Sequence, residues 1–577
     1  MSDLADVDYI VVGGGLTGCV VASRLSQGDK DGKKPQIALL EAGSDPSGNP
    51  AADGFLSGLS LLGGDYDYSF QTEPVPGTAD RVHTLNIGRV LGGGSILNLG
   101  GWLRADAADY NDWAETVGDE RWSYSGLKPW LRKTEHFFSG TPEAAAIADE
   151  DQHGLDGPLH VSPVSVGESG IRKYPLREPV KDAWTELGVP LNLRRKNGRN
   201  TGLTEMYENA RDGMRQPAQS VYPLDAIRVS TNTLVRRVNF SAKGVATSVE
   251  LADGRQIAAR KEVILCAGAL RTPQLLMLSG IGPSAALEAH GIPVVHDAPD
   301  VGQNLHDHFA LYLAYRLRDP SAGYALGNAA FQEKQDPRFS NSPLPWDWVV
   351  SQPQPAEMME KHRAETPKSG PRNTWEVITL YVPPIPGIPI DGSHIATSTM
   401  LLRPTSRGTV TIRSSDPDDA PRIQPNHLST ALDRDTLVHA AQTTLKAMLE
   451  TSAMKGIVAA ESPPSFVGKI GAAAEGEGEG EGLDSSDSGA GLVPLTTDTS
   501  PEALEDRIRR TGLAHAHPGG TAAMGKVVDT EGKVLGVRGL RVADASIVPI
   551  PLGGHPQATL YAMAEQLASF ILGDYSA

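Results

Sequence analysis

Cysteine is scarce in this chain: only Cys19 and Cys266 occur among 577 residues, each inside an apolar segment. That count excludes a disulfide framework and suits two buried, inert thiols in a reducing compartment. Aromatic residues make up 6 % against 40 % hydrophobic residues in all, so aliphatic side chains must build the core. Positive charge is also in deficit, with 52 Lys and Arg against 70 Asp and Glu and a net charge of −18, which argues against nucleic acid or an anionic membrane as partner. No uninterrupted apolar run reaches the length of a membrane span. A glycine loop already begins at residue 13, leaving no room for a signal peptide, and the terminal Tyr-Ser-Ala is a poor peroxisomal address. A cytoplasmic location is therefore expected. No internal repeat is apparent. The length predicts two structural domains, and 62 Gly with 42 Pro predict many loops rather than a helical bundle.

What is present begins with a βαβ unit. Residues 9–12 form an apolar strand, 16–25 carry helical spacing, and 36–40 form a second apolar strand ending at Glu41. Between strand and helix lies Gly13-Gly14-Gly15-Leu16-Thr17-Gly18. Gly13 permits the tight turn, Gly15 lets the backbone approach a pyrophosphate, and Gly18 lets helix and strand pack closely. The anion would sit on the helix N-terminus, where unpaired amides and the helix dipole favour negative charge. Glu41 stands where a carboxylate accepts ribose hydroxyls and repels a 2′-phosphate, which favours FAD or NAD over NADP.

Residues 86–104 (Asn-Ile-Gly-Arg-Val-Leu-Gly-Gly-Gly-Ser-Ile-Leu-Asn-Leu-Gly-Gly-Trp-Leu-Arg) form a second glycine loop, suited to a backbone pressed against a flat or anionic ligand. After an apolar strand at 263–265, Thr272-Pro273 has the form of a helix start, Thr as N-cap and Pro at the first helical position. Two histidines near the C-terminus complete the picture: His517 in His-Pro-Gly-Gly-Thr-Ala-Ala-Met-Gly and His555 in Leu-Gly-Gly-His-Pro-Gln-Ala-Thr. Imidazole both accepts a proton and holds a developing alkoxide near neutral pH. His515, two residues before His517 in an extended stretch, is expected to face the other way. His306-Asp307-His308 has the look of a metal pair but lacks a third ligand at metal spacing, so no metal site is assigned.

Taken in order, these motifs resemble the glucose-methanol-choline (GMC) oxidoreductase family. The nucleotide loop is followed by 88–95 and 268–282 as two family signatures. Then come 301–308 (Val-Gly-Gln-Asn-Leu-His-Asp-His), 406–413 (Ser-Arg-Gly-Thr-Val-Thr-Ile-Arg), Pro425-Asn426, 517–525 and 540–546 (Leu-Arg-Val-Ala-Asp-Ala-Ser). The resemblance implies an α/β fold of glucose oxidase type, a Rossmann-type FAD-binding domain interleaved with a substrate domain built on an antiparallel sheet. FAD-binding segments are expected at 1–155, 230–310 and 513–577, and substrate-domain segments at 156–229 and 311–512. Within the latter, 471–491 is an acidic Glu-Gly insertion with the composition of a disordered segment. Residues 408–413 alternate like a half-buried strand of the sheet that roofs the flavin.

The resemblance also implies roles. His517 matches the family's active-site base and His555 its second position. Gly13, Gly15, Leu16, Thr17, Gly18, Glu41, Ala42, Val90, Gly93, Ser95, Asn98, Val235, Asp544, Ala545, Pro556 and Gln557 match cofactor-binding positions. The last helix, from Pro556 to about residue 572, would present its positive end to the flavin pyrimidine. Where some members carry a His that bonds FAD covalently, this chain has Leu97, so FAD is expected to be non-covalent. The expected reaction is oxidation of a primary or benzylic alcohol in intracellular specialised metabolism, with oxygen or another acceptor taking the electrons. The alternative is a non-redox lyase or cyclising dehydratase that keeps FAD oxidised. Oligomeric state is not legible. Residues 315–400 match the family least and should line the substrate entrance, with Trp346, Trp348, Trp375 and Tyr381 as candidates for an aromatic wall.

Overall fold

A computed structural model describes residues 7–28, 32–138, 152–165, 172–193, 198–333, 344–364, 372–465 and 491–575. The acidic insertion, apart from Gly491, lies outside them.

Two sheets carry the molecule. In the first, Val7–Val12 lies parallel to Ile37–Leu40 on one side and to Gln256–Leu265 on the other, and Arg228–Ser230 and Leu540–Val542 extend the parallel set. Both faces of its central strands are covered, which is why residues 9–12 and Ile37–Leu40 are continuous apolar runs. The first half of the long strand Gln256–Leu265 pairs instead with Ala246–Leu251, and that in turn with Val235–Phe240, both antiparallel. Helix Leu16–Ser26 packs against the terminal helix Pro556–Tyr575. Arg24 joins them through a two-pronged ion pair to the buried Glu565.

In the second sheet the order is Val458–Ser462, Phe309–Leu317, His394–Leu401, Trp375–Leu380, Trp346–Gln352 and Gly202–Glu205, all antiparallel, with Leu513–Ala514 also pairing with Phe309–Leu317. Helix Ala431–Leu449 covers one face of it. Each sheet has its own apolar core.

Two local expectations need correction. Thr272-Pro273 does not start a helix; the helix is Gly268–Leu278, with Pro273 inside it. Thr272 Oγ1 donates to Asp544 at 2.6 Å instead of capping. The Ala269 carbonyl, which a proline four residues on leaves without a helical partner, accepts from Thr521 Oγ1 at 2.5 Å. The segment 408–413 likewise stays out of the large sheet. Thr409–Thr411 pairs only with Arg422–Gln424, and the Val410 amide donates to the Gly302 carbonyl at 2.7 Å, which ties this hairpin to the 301–308 stretch.

Candidate active site

A cavity of about 1370 Å³ lies between the two sheets. On one side it meets the glycine loop. Gly13 adopts φ +102°, and a β-carbon there would come within 2.4 Å of the Cys266 carbonyl oxygen; at Gly18 it would come within 2.0 Å of the Gly13 oxygen. Gly13 therefore makes the turn and Gly18 the close packing, as the sequence predicts. Helix Leu16–Ser26 opens from Gly15 with no side chain capping it, and Gly15, Leu16 and Thr17 line the cavity. Glu41 is buried at the cavity wall and accepts from the Gly14 and Gly43 amides at 2.7 Å each, while burial pushes its carboxyl up to about 7.

The opposite end gathers histidines. His517 and His555 have ring centroids 5.1 Å apart, and both line the cavity. His517 Nδ1 lies 3.0 Å from His308 Nδ1, and His308 Nε2 lies 3.1 Å from the Leu552 carbonyl, which can only accept. His308 therefore carries its proton on Nε2, and its Nδ1 accepts from His517 Nδ1–H. The lone pair of His517 is left on Nε2. Burial, with the neighbouring imidazoles, holds His517 well below its ordinary value, so the ring is neutral. The His517 amide donates to Asp307 at 2.7 Å, fixing the segment. His555 Nε2 lies 2.8 Å from the buried carboxylate of Glu376 on the second sheet.

Models of the GMC oxidoreductase family match residues 7–310 and 404–564. The chain belongs to the GMC oxidoreductase family. Among relatives, it is 36 % identical to the GMC-type oxidoreductase acuG of Aspergillus aculeatus, over 98 % of this chain and 99 % of that one. It is 30 % identical to the oxygen-dependent choline dehydrogenase of Pseudomonas fluorescens, over 98 % and 94 %. Among solved structures, a formate oxidase variant of Aspergillus oryzae superposes with a TM-score of 0.83 at 25 % identity, covering 100 % of this chain and 99 % of that one. Like its family, this GMC oxidoreductase is an FAD-dependent enzyme acting on CH–OH groups.

The cavity fits a dinucleotide. Gly94 and Gly268 line it, and a β-carbon on either would find nothing within 4 Å, so the backbone there is bare towards open space. Gly15 and Gly93 bring the two loops together, since a β-carbon on Gly93 would fall 2.7 Å from the Gly15 α-carbon. Ala42, Gly93, Asn98, Val235, Asp544, Ala545, Pro556 and Gln557 all line the cavity. Three of the predicted residues do not. Gly18 is a packing residue, Val90 is buried, and Ser95 is spent on the Gly92 carbonyl and the Ala218 amide. They shape the loops from behind. Asn98 Nδ2 donates to Gln557 at 3.2 Å and Gln557 Nε2 to the Gly101 carbonyl at 2.6 Å, tying the second glycine loop to the start of the last helix.

His515 departs from expectation. Ala516 takes φ +54°, the left-handed region, which breaks the alternation of an extended strand. His515 and His517 consequently lie with ring centroids 4.9 Å apart, and both line the cavity. Of the proposed aromatic wall, Trp346 lines the cavity; Trp348, Trp375 and Tyr381 pack into the core of the second sheet. Sequence reasoning missed Glu376, His308 as a partner of His517, and Tyr312, another cavity residue. His308 was visible in the Asn-Leu-His-Asp-His motif, but nothing local signals Glu376.

Proposed function

We propose that this GMC oxidoreductase converts a primary or benzylic alcohol to its aldehyde, with His517 accepting the hydroxyl proton and His555 hydrogen-bonded to the same oxygen, in intracellular specialised metabolism. The observation that carries it is the contact of His517 Nδ1 with His308 at 3.0 Å, which leaves Nε2 to accept a proton, beside the His555 ring at 5.1 Å. FAD, when bound, supplies the two-electron acceptor for the hydride that leaves the carbinol carbon. The segments 1–155, 230–310 and 513–577 would hold it without a covalent bond. Gly13, Gly15, Leu16 and Thr17 would meet the pyrophosphate, Glu41 and Ala42 the ribose, and Val235 the adenine. Gly93, Asn98, Asp544, Ala545, Pro556 and Gln557 would face the rest of the cofactor. Gly18, Val90 and Ser95 support these contacts from behind. The Glu376 carboxylate orients the His555 ring, a placement that leaves its other nitrogen for the alcohol oxygen.

Anaerobic mixing with benzyl alcohol tests the reading. Bleaching of the flavin band is expected, together with a loss of roughly 100- to 10,000-fold in its rate on His517→Ala. Near wild-type reduction by that variant would remove the base. Benzyl alcohol has no group to eliminate, so in a screen widened to hydroxynitriles and diols, a substrate consumed without bleaching would assign the non-redox lyase or dehydratase reaction instead. Peroxide release during aerobic turnover distinguishes oxygen from another electron acceptor.

A further inference from the structure

Charge is distributed unevenly around the cavity. Among the described residues that line it, the Asp, Glu, Lys and Arg side chains are Glu41, Arg271 and Asp544, all on the nucleotide-loop side. Each is already spent: Glu41 on two amides, Arg271 on Gln274 and the Pro417 carbonyl, and Asp544 on Thr272 and the Gly268 and Ser546 amides. On the histidine side the second sheet contributes Trp346, Ile378 and Leu380, and Leu344 extends that wall. Glu376 is buried against His555 and does not line the cavity. The stretch 382–390, Val-Pro-Pro-Ile-Pro-Gly-Ile-Pro-Ile, lines it from the buried Val382 and Pro383 to the exposed Pro389 and Ile390, and its prolines fix φ, so this wall is apolar and set before a ligand arrives. Besides the three histidines, the polar groups on this side include the Tyr312 hydroxyl, 3.4 Å from His515 Nδ1, and the Ser398 hydroxyl. The volume of about 1370 Å³ exceeds the roughly 300–1,000 Å³ usual for one drug-sized ligand, as a site shared by a dinucleotide and a substrate requires.

Resting on the alcohol-oxidation reading above, we propose that the substrate is an uncharged alcohol with an extended apolar body, and that the site rejects alcohols bearing a cation or a carboxylate. A charge entering this wall loses hydration, and the carboxylate nearest to it, Glu376, is taken up by His555 and does not reach the cavity. The neutral hydroxyls of Tyr312 and Ser398 and the His515 ring would accommodate neutral oxygen functions on the substrate body.

The test uses the FAD-loaded enzyme and three probes under anaerobic conditions: 2-naphthalenemethanol, 4-(hydroxymethyl)benzoate and choline. The naphthyl alcohol should half-saturate flavin reduction at a concentration at least about 100-fold below the other two. Comparable or tighter half-saturation by either charged alcohol overturns the proposal. If none of the three bleaches the flavin, alcohol oxidation fails, and the substrate class is then read by binding alone. In that case 2-methylnaphthalene should perturb the flavin absorption at least about 100-fold more tightly than 4-methylbenzoate or tetramethylammonium. Equal or reversed affinities would overturn the proposal independently of the redox chemistry.

Discussion

Replacing His308 should disable the proposed base, His517, without touching it. In the native site His308 Nδ1 accepts from His517 Nδ1–H at 3.0 Å, and the His308 ring is itself held by the Leu552 carbonyl. In His308→Ala, His517 Nδ1–H loses its partner in a buried setting, at a cost of about 1–3 kcal/mol. The ring relieves this by moving its proton to Nε2, the atom that accepts from the alcohol in the proposed reaction. If the whole cost falls on the reactive tautomer, the rate of flavin reduction drops by roughly 5- to 150-fold. Stopped-flow reduction under anaerobic conditions measures it, with flavin content as a check on folding. His308→Gln should recover most of the loss, because its amide oxygen can accept from Nδ1–H. His308→Asp should recover the tautomer but raise the His517 pKa, since a carboxylate favours imidazolium. His517 cannot accept a proton once protonated, so activity in that variant should be lost on acidification at a higher pH than in the parent. Reduction by His308→Ala within twofold of the parent, with an unshifted pH profile, would refute this role of His308 in fixing the His517 tautomer.

Stability should fall with acidification in two stages. Burial holds His83 at about 2 and His306, His308 and His427 at about 3, against an ordinary 6.5, so the folded state resists protonation and loses stability as pH falls below 6.5. Glu41, Asp307 and Asp347 are pushed up to about 7 and bind protons on folding, which opposes that loss until the unfolded carboxyls titrate near 4. Thermal melts of the FAD-free protein should therefore show a shallow decline from pH 6.5 to about 4.5 and a steeper one below. A uniform slope would contradict these burial effects. At the glycine loop, Gly15→Ala should fold with an unchanged melting point yet bind FAD at least about tenfold more weakly, because its β-carbon meets no protein atom closer than 3.9 Å and projects towards the cavity. Gly18→Ala should fail to fold, since its β-carbon would fall 2.0 Å from the Gly13 oxygen. Acid precipitation should release all the FAD into the supernatant, as Leu97 offers no atom for a flavin bond; coloured pellets would refute this.

The parts legible from sequence were those governed by neighbours along the chain. The turn at Gly13, the helix from Leu16 and the strands Val7–Val12 and Ile37–Leu40 follow from steric permission and apolar runs a few residues long. The histidine pair was legible through the family resemblance of its motifs, and folding brings the two rings to 5.1 Å. Tertiary structure decided whatever depended on residues far apart in the chain. Pro273 sits inside a helix because Thr521 supplies the partner its geometry removes. His515 joins the cavity because Ala516 turns left-handed. His308 selects the tautomer of a ring 209 positions away, and Glu376 holds one 179 away. Backbone propensity is written over a few residues and can be read there. Hydrogen-bond partners and cavity walls are chosen by packing between segments, and that choice exists only once the chain has folded.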